Sequence, residues 1–249
     1  MSGHSKWATI KHKKGAADKK RAKLFAKLIR QVEVAAREGG GDLDGNPTLR
    51  TMYQKARDSS VPLDTIERAI KRGTGELEGV TYESITYEGY APNGVAVLVV
   101  VLTDNRNRTG SDVRSIFDRN GGNLGNPGSV AWQFTRKGVI TVPKSVSEDD
   151  LMLVVLDAGA EDIADEGDTW RVSTEPAAVT DVTDAMAAAG LAYDDADTTM
   201  LPSQTVPLES AEAARSVLRL IDLLDDHDDV QDVFANFDIP DEILQTVDA

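Results

Sequence analysis

The chain contains no cysteine. That removes disulfides, thiolate metal sites and thiol nucleophiles together, and suits a reducing compartment. Long apolar runs are missing too. The longest, Val95 to Leu102, falls far short of the roughly 20 residues that a membrane-spanning helix needs. The N-terminus carries charge but neither an apolar core segment nor a small-residue cleavage site, so it does not read as a secretory signal. The cytoplasm is the expected compartment, and no membrane partner is expected. Only three histidines are present, His4, His12 and His227, and no nucleophile stands at a telling spacing from any of them. The glycine-rich stretch 121–128 fits neither the phosphate-loop pattern nor the dinucleotide fingerprint, and reads as a turn needing positive φ. Asp222, Asp225, Asp226, Asp228 and Asp229 lack calcium-loop spacing and read as a solvated helix end. No enzyme activity, cofactor or metal is expected.

Positive charge is scarce overall and concentrated at one end. The 249 residues are 41% hydrophobic and 28% charged, ordinary for a folded protein, with a formal net charge of -15. Residues 1–75 nevertheless carry 17 basic and 8 acidic side chains, against 10 and 34 in the remainder. A basic arm on an acidic body points to a polyanion partner, because lysine and arginine gain free energy by displacing counterions condensed on phosphates. The acidic remainder repels phosphate and confines binding to the arm and its neighbours.

Residues 1–14 lack an apolar period and read as an extended arm. Phe25, Leu28, Ile29, Val32 and Ala36 then recur at helical steps from Ala16, until Gly39-Gly40-Gly41 stops the pattern. Asn46-Pro47 opens a second helix and Val61-Pro62 precedes a third that ends at Gly73. After Gly79 the period changes to two. Strands are expected at 82–90 and 95–103, separated by a turn, followed by a polar loop at 104–108 and a helix capped by Thr109 or Ser111. A further strand is expected at 130–134. From Gly138 the order is strand, helix, strand, strand, helix, strand, the ferredoxin-like βαββαβ order. A last helix (210–224) and strand (230–237) have the right types to complete the first αβ block.

The fold expected is therefore α+β: an N-terminal three-helix bundle followed by two α+β domains, the inner one ferredoxin-like. The domain division expected is 1–78 for the arm and bundle, 79–136 plus 205–249 for a discontinuous α+β domain, and 137–204 for the inserted unit.

The candidate nucleic-acid contacts follow from residue type. Lys6, Lys11, His12, Lys13, Lys14, Lys19, Lys20, Arg21, Lys23 and Lys27 supply positive charge for phosphates, and Trp7 supplies a face for an unpaired base. Arg68, Lys71 and Arg72 end the third helix and either extend that surface or stabilise the helix end through its dipole. Arg106 and Arg108 stand at a helix start, where backbone amides favour an anion; the alternative is that they pair with nearby carboxylates. Lysine grips phosphate without choosing a base, so this pattern leans towards a structured RNA or ribosome partner rather than a base-reading repressor. A third possibility is an arm that merely docks on its own acidic body.

Several segments resemble the YebC/PmpR family. They are Met1-Ser2-Gly3-His4-Ser5-Lys6-Trp7 running into the lysine-rich helix, Asn46-Pro47 leading to Ile66-Glu67-Arg68-Ala69-Ile70-Lys71-Arg72-Gly73, Thr103 to Thr109, Gly121 to Gly125, and Asp228 to Val233 with Ala235-Asn236-Phe237. The resemblance spans nearly the whole chain. Departures occur at Ala91 and Asn93, where glycines are commoner, and at Asn126-Pro127. It implies a helical N-terminal domain followed by two α+β domains. Bacterial members of the family are described as transcriptional regulators that bind promoter DNA. Mitochondrial relatives are translational activators for a respiratory-oxidase subunit, and some bacterial members resemble factors that help ribosomes through proline-rich stretches. The expected function is a non-enzymatic nucleic-acid-binding regulator of gene expression, acting on DNA or, alternatively, on RNA or the ribosome.

Overall fold

The computed structural model describes residues 17–247, so Lys6, Trp7, Lys11, His12, Lys13 and Lys14 lie outside the described residues. Three helices come first: α1 (Ala17–Gly39), α2 (Pro47–Asp58) and α3 (Leu63–Gly73). Leu28, Val32, Ala35 and Ala36 of α1 recur at three- and four-residue steps and are buried against Leu49, Ala56, Val61, Ile66 and Ala69. The turn after α1 is closed by Gly40 at φ 86, which an L side chain rarely adopts. Asn46 then does two jobs. Its Oδ1 accepts the Leu49 N–H at 3.0 Å as the α2 cap, while its Nδ2 donates to the Ala35 and Gly40 carbonyls at 2.8 and 2.9 Å. The start of α2 is thereby tied to the end of α1. Gly73 is required where α3 crosses α1, because a Cβ there would meet the Glu33 carbonyl oxygen and the Ala36 methyl group.

The middle sheet is built from β1 (Glu83–Tyr90), β2 (Ala96–Thr103), the two-residue β3 (Asn123–Leu124) and β9 (Val230–Ala235), in the order β3-β1-β2-β9. β2 is buried on both faces, as its near-continuous apolar sequence requires, and pairs antiparallel with β1 and β9. The helices α4 (Arg106–Arg119) and α7 (Ala211–Asp225) cover one face. Val97, Val99 and Val101 meet Val113, Phe117, Val217, Leu220, Ile221 and Leu224 there. The short strands β8 (Val206–Pro207) and β10 (Phe237–Asp238) pair in parallel, and α8 (Asp241–Val247) packs beside α7.

Two local expectations do not hold. Residues 104–108 are not a loop ahead of a cap at Thr109 or Ser111: the helix begins at Arg106, and the Asn105 side chain caps it by accepting the Arg108 N–H at 3.1 Å. Val130 to Phe134 is not a strand either. The buried Glu88 carboxylate takes the N–H groups of Gly128, Val130 and Ala131 at 2.6–2.7 Å, which withdraws these donors from any ladder. Residues Ala131–Gln133 form a 3-10 turn instead, and the strand starts at Phe134.

The last unit contains β4 (Phe134–Pro143), α5 (Glu148–Val155), β5 (Ala160–Asp165), β6 (Thr169–Thr174), α6 (Val179–Ala188) and β7 (Asp195–Pro202). Its strands are all antiparallel in the order β5-β6-β4-β7, the ferredoxin-like arrangement. Ile140, Val142 and Val172 of the sheet pack on Leu151, Val155, Val182 and Met186 of the two helices. A small apolar cluster of Ala96, Leu98, Val130 and Phe134, with Met200 and Phe234 against it, joins this unit to the middle sheet. Among the described residues the bundle shares no such cluster with either unit. Its core cluster draws no residue from beyond Ile70.

Candidate nucleic-acid interface

Lys23, Lys27 and Arg30 stand at positions i, i+4 and i+7 of α1, so they form one stripe along the helix. That stripe faces the segment between α7 and β9. Lys23 Nζ donates to the Asp226 carbonyl at 2.7 Å and to its Oδ1 at 3.0 Å. Lys27 Nζ reaches Asp225 Oδ1 at 3.1 Å and the carbonyls of Asp225 and Gln231 at 3.2 and 3.4 Å. Arg30 Nη1 donates to the Asp228 carbonyl at 2.7 Å and to Asp229 Oδ1 at 3.0 Å, and its guanidinium lies 5.5 Å from the centre of the Tyr82 ring. Lys55 on α2 makes a further link, to Asp197 of β7 at 2.7 Å.

Asp229 is the centre of this arrangement and is only 4% exposed. Its Oδ2 accepts Arg108 Nη2 at 2.8 Å and the Thr109 hydroxyl at 2.7 Å, while Oδ1 takes Arg30. Burial pushes the carboxyl pKa up, but the hydrogen bonds from Arg108 and Thr109 and the charges of Arg30 and Arg108 outweigh it, and the net shift is downward. The expectation of a solvated helix end therefore fails at Asp229. His227 Nδ1 accepts the Asp229 N–H at 3.1 Å, and its Nε2 lies 3.5 Å from Asp112. Around these groups is an open groove of about 570 Å³, lined by Arg30, Tyr82, Asp104, Arg108, Asp112 and residues Asp226 to Asp229. Among the described residues there is no cluster of His, Asp and Glu that would hold a metal ion.

Nearby, Asp232 is reached by solvent yet hemmed in by protein. Its carboxyl pKa is raised, first by burial of its surroundings and then by Asp197 and Asp225, with Lys27 and Lys55 opposing.

The expected contacts fall into three groups. Lys23, Lys27 and Arg108 are brought together, but around the acidic segment rather than around open solvent. Arg72 pairs with the buried Glu33 at 2.8 Å, which Arg37 also approaches at 3.5 Å, so it has a structural partner. Arg108 is further held by Asp104 at 2.8 Å. By contrast Arg68, Lys71 and Arg106 are exposed and have no carboxylate partner among the described residues. Arg21 lies over the Phe25 ring at 5.3 Å, and Lys19 and Lys20 occupy the first turn of α1. Sequence reasoning did not single out Arg30, Tyr82, Lys55 or Glu88. For Arg30 a signal existed, since it continues the stripe of Lys23 and Lys27 by one helical turn.

The match to known proteins covers both halves of this arrangement. A family model described as "TACO1/YebC protein N-terminal domain" matches residues 5–76, and one described as "TACO1/YebC second and third domain" matches residues 82–237. The chain belongs to the TACO1/YebC family. A relative from Saccharopolyspora erythraea is 59% identical, with 100% of each chain covered. Another from Syntrophobacter fumaroxidans is 57% identical over 99% of this chain and 100% of its own. Each carries the name "Probable transcriptional regulatory protein". Among solved structures, a conserved hypothetical protein from Aquifex aeolicus is 47% identical and superposes with a TM-score of 0.79, covering 92% of this chain and 94% of its own. Both α+β units, and the bundle before them, are thus family features. No helix among the described residues is long and apolar enough to cross a membrane.

Proposed function

We propose that this protein is a non-enzymatic regulator of gene expression that binds DNA through the phosphate backbone, using its arm and helical bundle, with the acidic α+β units supplying shape and partner contacts. The division proposed is 1–78 for the binding unit, 79–136 plus 205–249 for the discontinuous domain and 137–204 for the inserted one. The observation that carries the reading is the separation of charge: 17 basic against 8 acidic side chains in residues 1–75, and 10 against 34 beyond. Arg68, Lys71 and Arg106 support it, being exposed cations without a carboxylate partner among the described residues. Such cations release counterions from phosphates at little desolvation cost. The names of the relatives favour DNA.

A second reading, binding to RNA or to ribosomal particles in the cytoplasm, is favoured by the lysine-rich composition of α1. Lys19, Lys20, Lys23 and Lys27 position phosphates without reading bases. The deciding experiment measures binding to a promoter-length DNA duplex, a scrambled duplex and a structured RNA at physiological salt, beside sedimentation of the protein with ribosomes. A promoter preference well above scrambled DNA supports the transcriptional reading. Salt-labile, indifferent DNA binding with RNase-sensitive ribosome association supports the second. Failure to bind any of them sinks both.

A further inference from the structure

The three basic residues Lys23, Lys27 and Arg30 are occupied by this chain's own aspartates and carbonyls. The segment Asp225 to Asp229 contains four aspartates, and it presents carboxylates and carbonyl oxygens to the α1 stripe at 2.7–3.2 Å. Anionic oxygens in a row are what a phosphate backbone offers the same cations. We propose that this segment is an internal competitor for polyanions: it holds the bundle closed against the middle sheet, and a nucleic-acid backbone takes Lys23, Lys27 and Arg30 by displacing it. This rests on the reading of the bundle as the binding unit, and adds how that unit is regulated.

The means of attachment makes displacement feasible. The bundle's apolar core is self-contained, whereas the two α+β units share the cluster of Leu98, Val130 and Phe134. What joins the bundle to the rest among the described residues is polar. It comprises the α1 stripe, the Lys55–Asp197 pair, the Arg37 bond to the Val80 carbonyl and the stack of Arg30 on Tyr82. Polar contacts of this kind are screened by salt and exchange readily for equivalent ones, whereas a shared apolar core does not. Releasing the stripe leaves Arg108 and Thr109 on Asp229 Oδ2, while Oδ1 exchanges Arg30 for the water that enters as the bundle lifts away. The lysines return either to solvent or to phosphate. Because the segment and the polyanion compete, weakening the segment's hold strengthens polyanion binding, by up to the same factor while the closed form predominates.

The test uses the full chain and two probes, a labelled 30-nucleotide RNA and a DNA duplex of the same length, so that the two sources of phosphate are distinguished. The variant Asp225→Asn/Asp226→Asn removes the competing charge and keeps side-chain size. It should bind tighter than wild type by about three- to tenfold, the range that two partly exposed ion pairs support. Lys23→Ala/Lys27→Ala should bind more weakly. Opening is read separately, by energy transfer between labels at Thr48→Cys on α2 and Glu212→Cys on α7; the absence of native cysteine makes the labelling specific. Adding the probe to wild type should lower the transfer. Unchanged affinity in the aspartate variant, or unchanged transfer on saturation, overturns the competitor while leaving the binding unit intact. No binding of either probe by any variant overturns the binding unit, and the competitor with it.

Discussion

Arg30 of the first helix donates to Oδ1 of Asp229 at 3.0 Å, across 199 positions of chain. One carboxylate thus fastens the bundle to the start of β9, and on its other oxygen fastens the start of α4 through Arg108 and Thr109. Three elements from distant parts of the chain share one buried charge. Removing the shared carboxylate takes one partner from each of Arg30, Arg108 and the buried Thr109 hydroxyl at once, which costs more than the net worth of any single contact.

Asp229→Ala is therefore expected to destabilise the protein by about 1–3 kcal/mol, since it deprives the Thr109 hydroxyl and Arg30 of a partner. Asp226→Ala, at a site where both partners are open to water, should change stability by less than about 0.5 kcal/mol. Urea denaturation of the two variants and wild type compares them directly. Equal midpoints for Asp229→Ala and Asp226→Ala would remove Asp229 from its central place.

Acid should act through the same residue. The carboxyl pKa of Asp229 is lowered: burial raises it, but the bonds from Arg108 and Thr109 and the charges of Arg30 and Arg108 prevail. Glu88 is lowered as well, with burial opposed by the three backbone N–H bonds from Gly128, Val130 and Ala131. A depressed folded pKa contributes stability above the unfolded value, about 4 for these side chains, and loses it as pH falls through the folded value. The melting temperature should stay level from neutral pH to about pH 5 and fall steeply below pH 4. In an Asp229→Asn variant the acid limb of that curve should be shallower, and an identical limb would show that Asp229 carries no linkage.

Much of this architecture is legible locally, and the exceptions share a cause. Asn46-Pro47 marks the α2 start because cap and proline lie side by side, and the βαββαβ order follows from alternating periods. The sequence places the cap at Thr109 or Ser111 and Asn105 in the loop; all three residue types cap helices, and in the structure Asn105 takes the Arg108 N–H while Thr109 is buried against Thr103 and Asp229. The loss of a strand at 130–134 depends on a carboxylate that lies more than forty residues earlier in the chain. The pairing of the α1 stripe with Asp225 to Asp229 requires the chain to return through the ferredoxin-like unit before either side finds the other. Charge is visible at both ends, and docking of the arm on the acidic body is among the readings it allows; which carboxylates the α1 stripe meets is not.

Glu88 offers a test of that long-range control. Its two oxygens accept three N–H bonds from the loop 128–131. Glu88→Gln replaces one acceptor oxygen by an NH2 group facing N–H donors, which should cost about 1–3 kcal/mol. Amide hydrogen exchange at Gly128, Val130 and Ala131 should accelerate more than exchange within β2. Uniform acceleration throughout the middle sheet would instead indicate general destabilisation.

The sharpest functional prediction concerns cations that the structure leaves open. Arg68 and Lys71 are exposed on α3 and have no carboxylate partner among the described residues, whereas Arg72 beside them is engaged by Glu33. Arg68→Ala/Lys71→Ala should therefore leave the melting temperature within about 2 °C of wild type, as surface changes away from specific contacts do. It should also lower nucleic-acid affinity and reduce the slope of log K against log salt by about 1.8 if both contact duplex phosphates, since each contributes about 0.9. Arg72→Ala should do the reverse, lowering stability by leaving the buried Glu33 with only the longer Arg37 contact and changing the slope little. A salt titration of the three proteins on one DNA duplex, with thermal melts alongside, separates grip from scaffold. An unchanged slope in the Arg68/Lys71 variant would remove α3 from the binding surface and leave the arm and α1 to account for it.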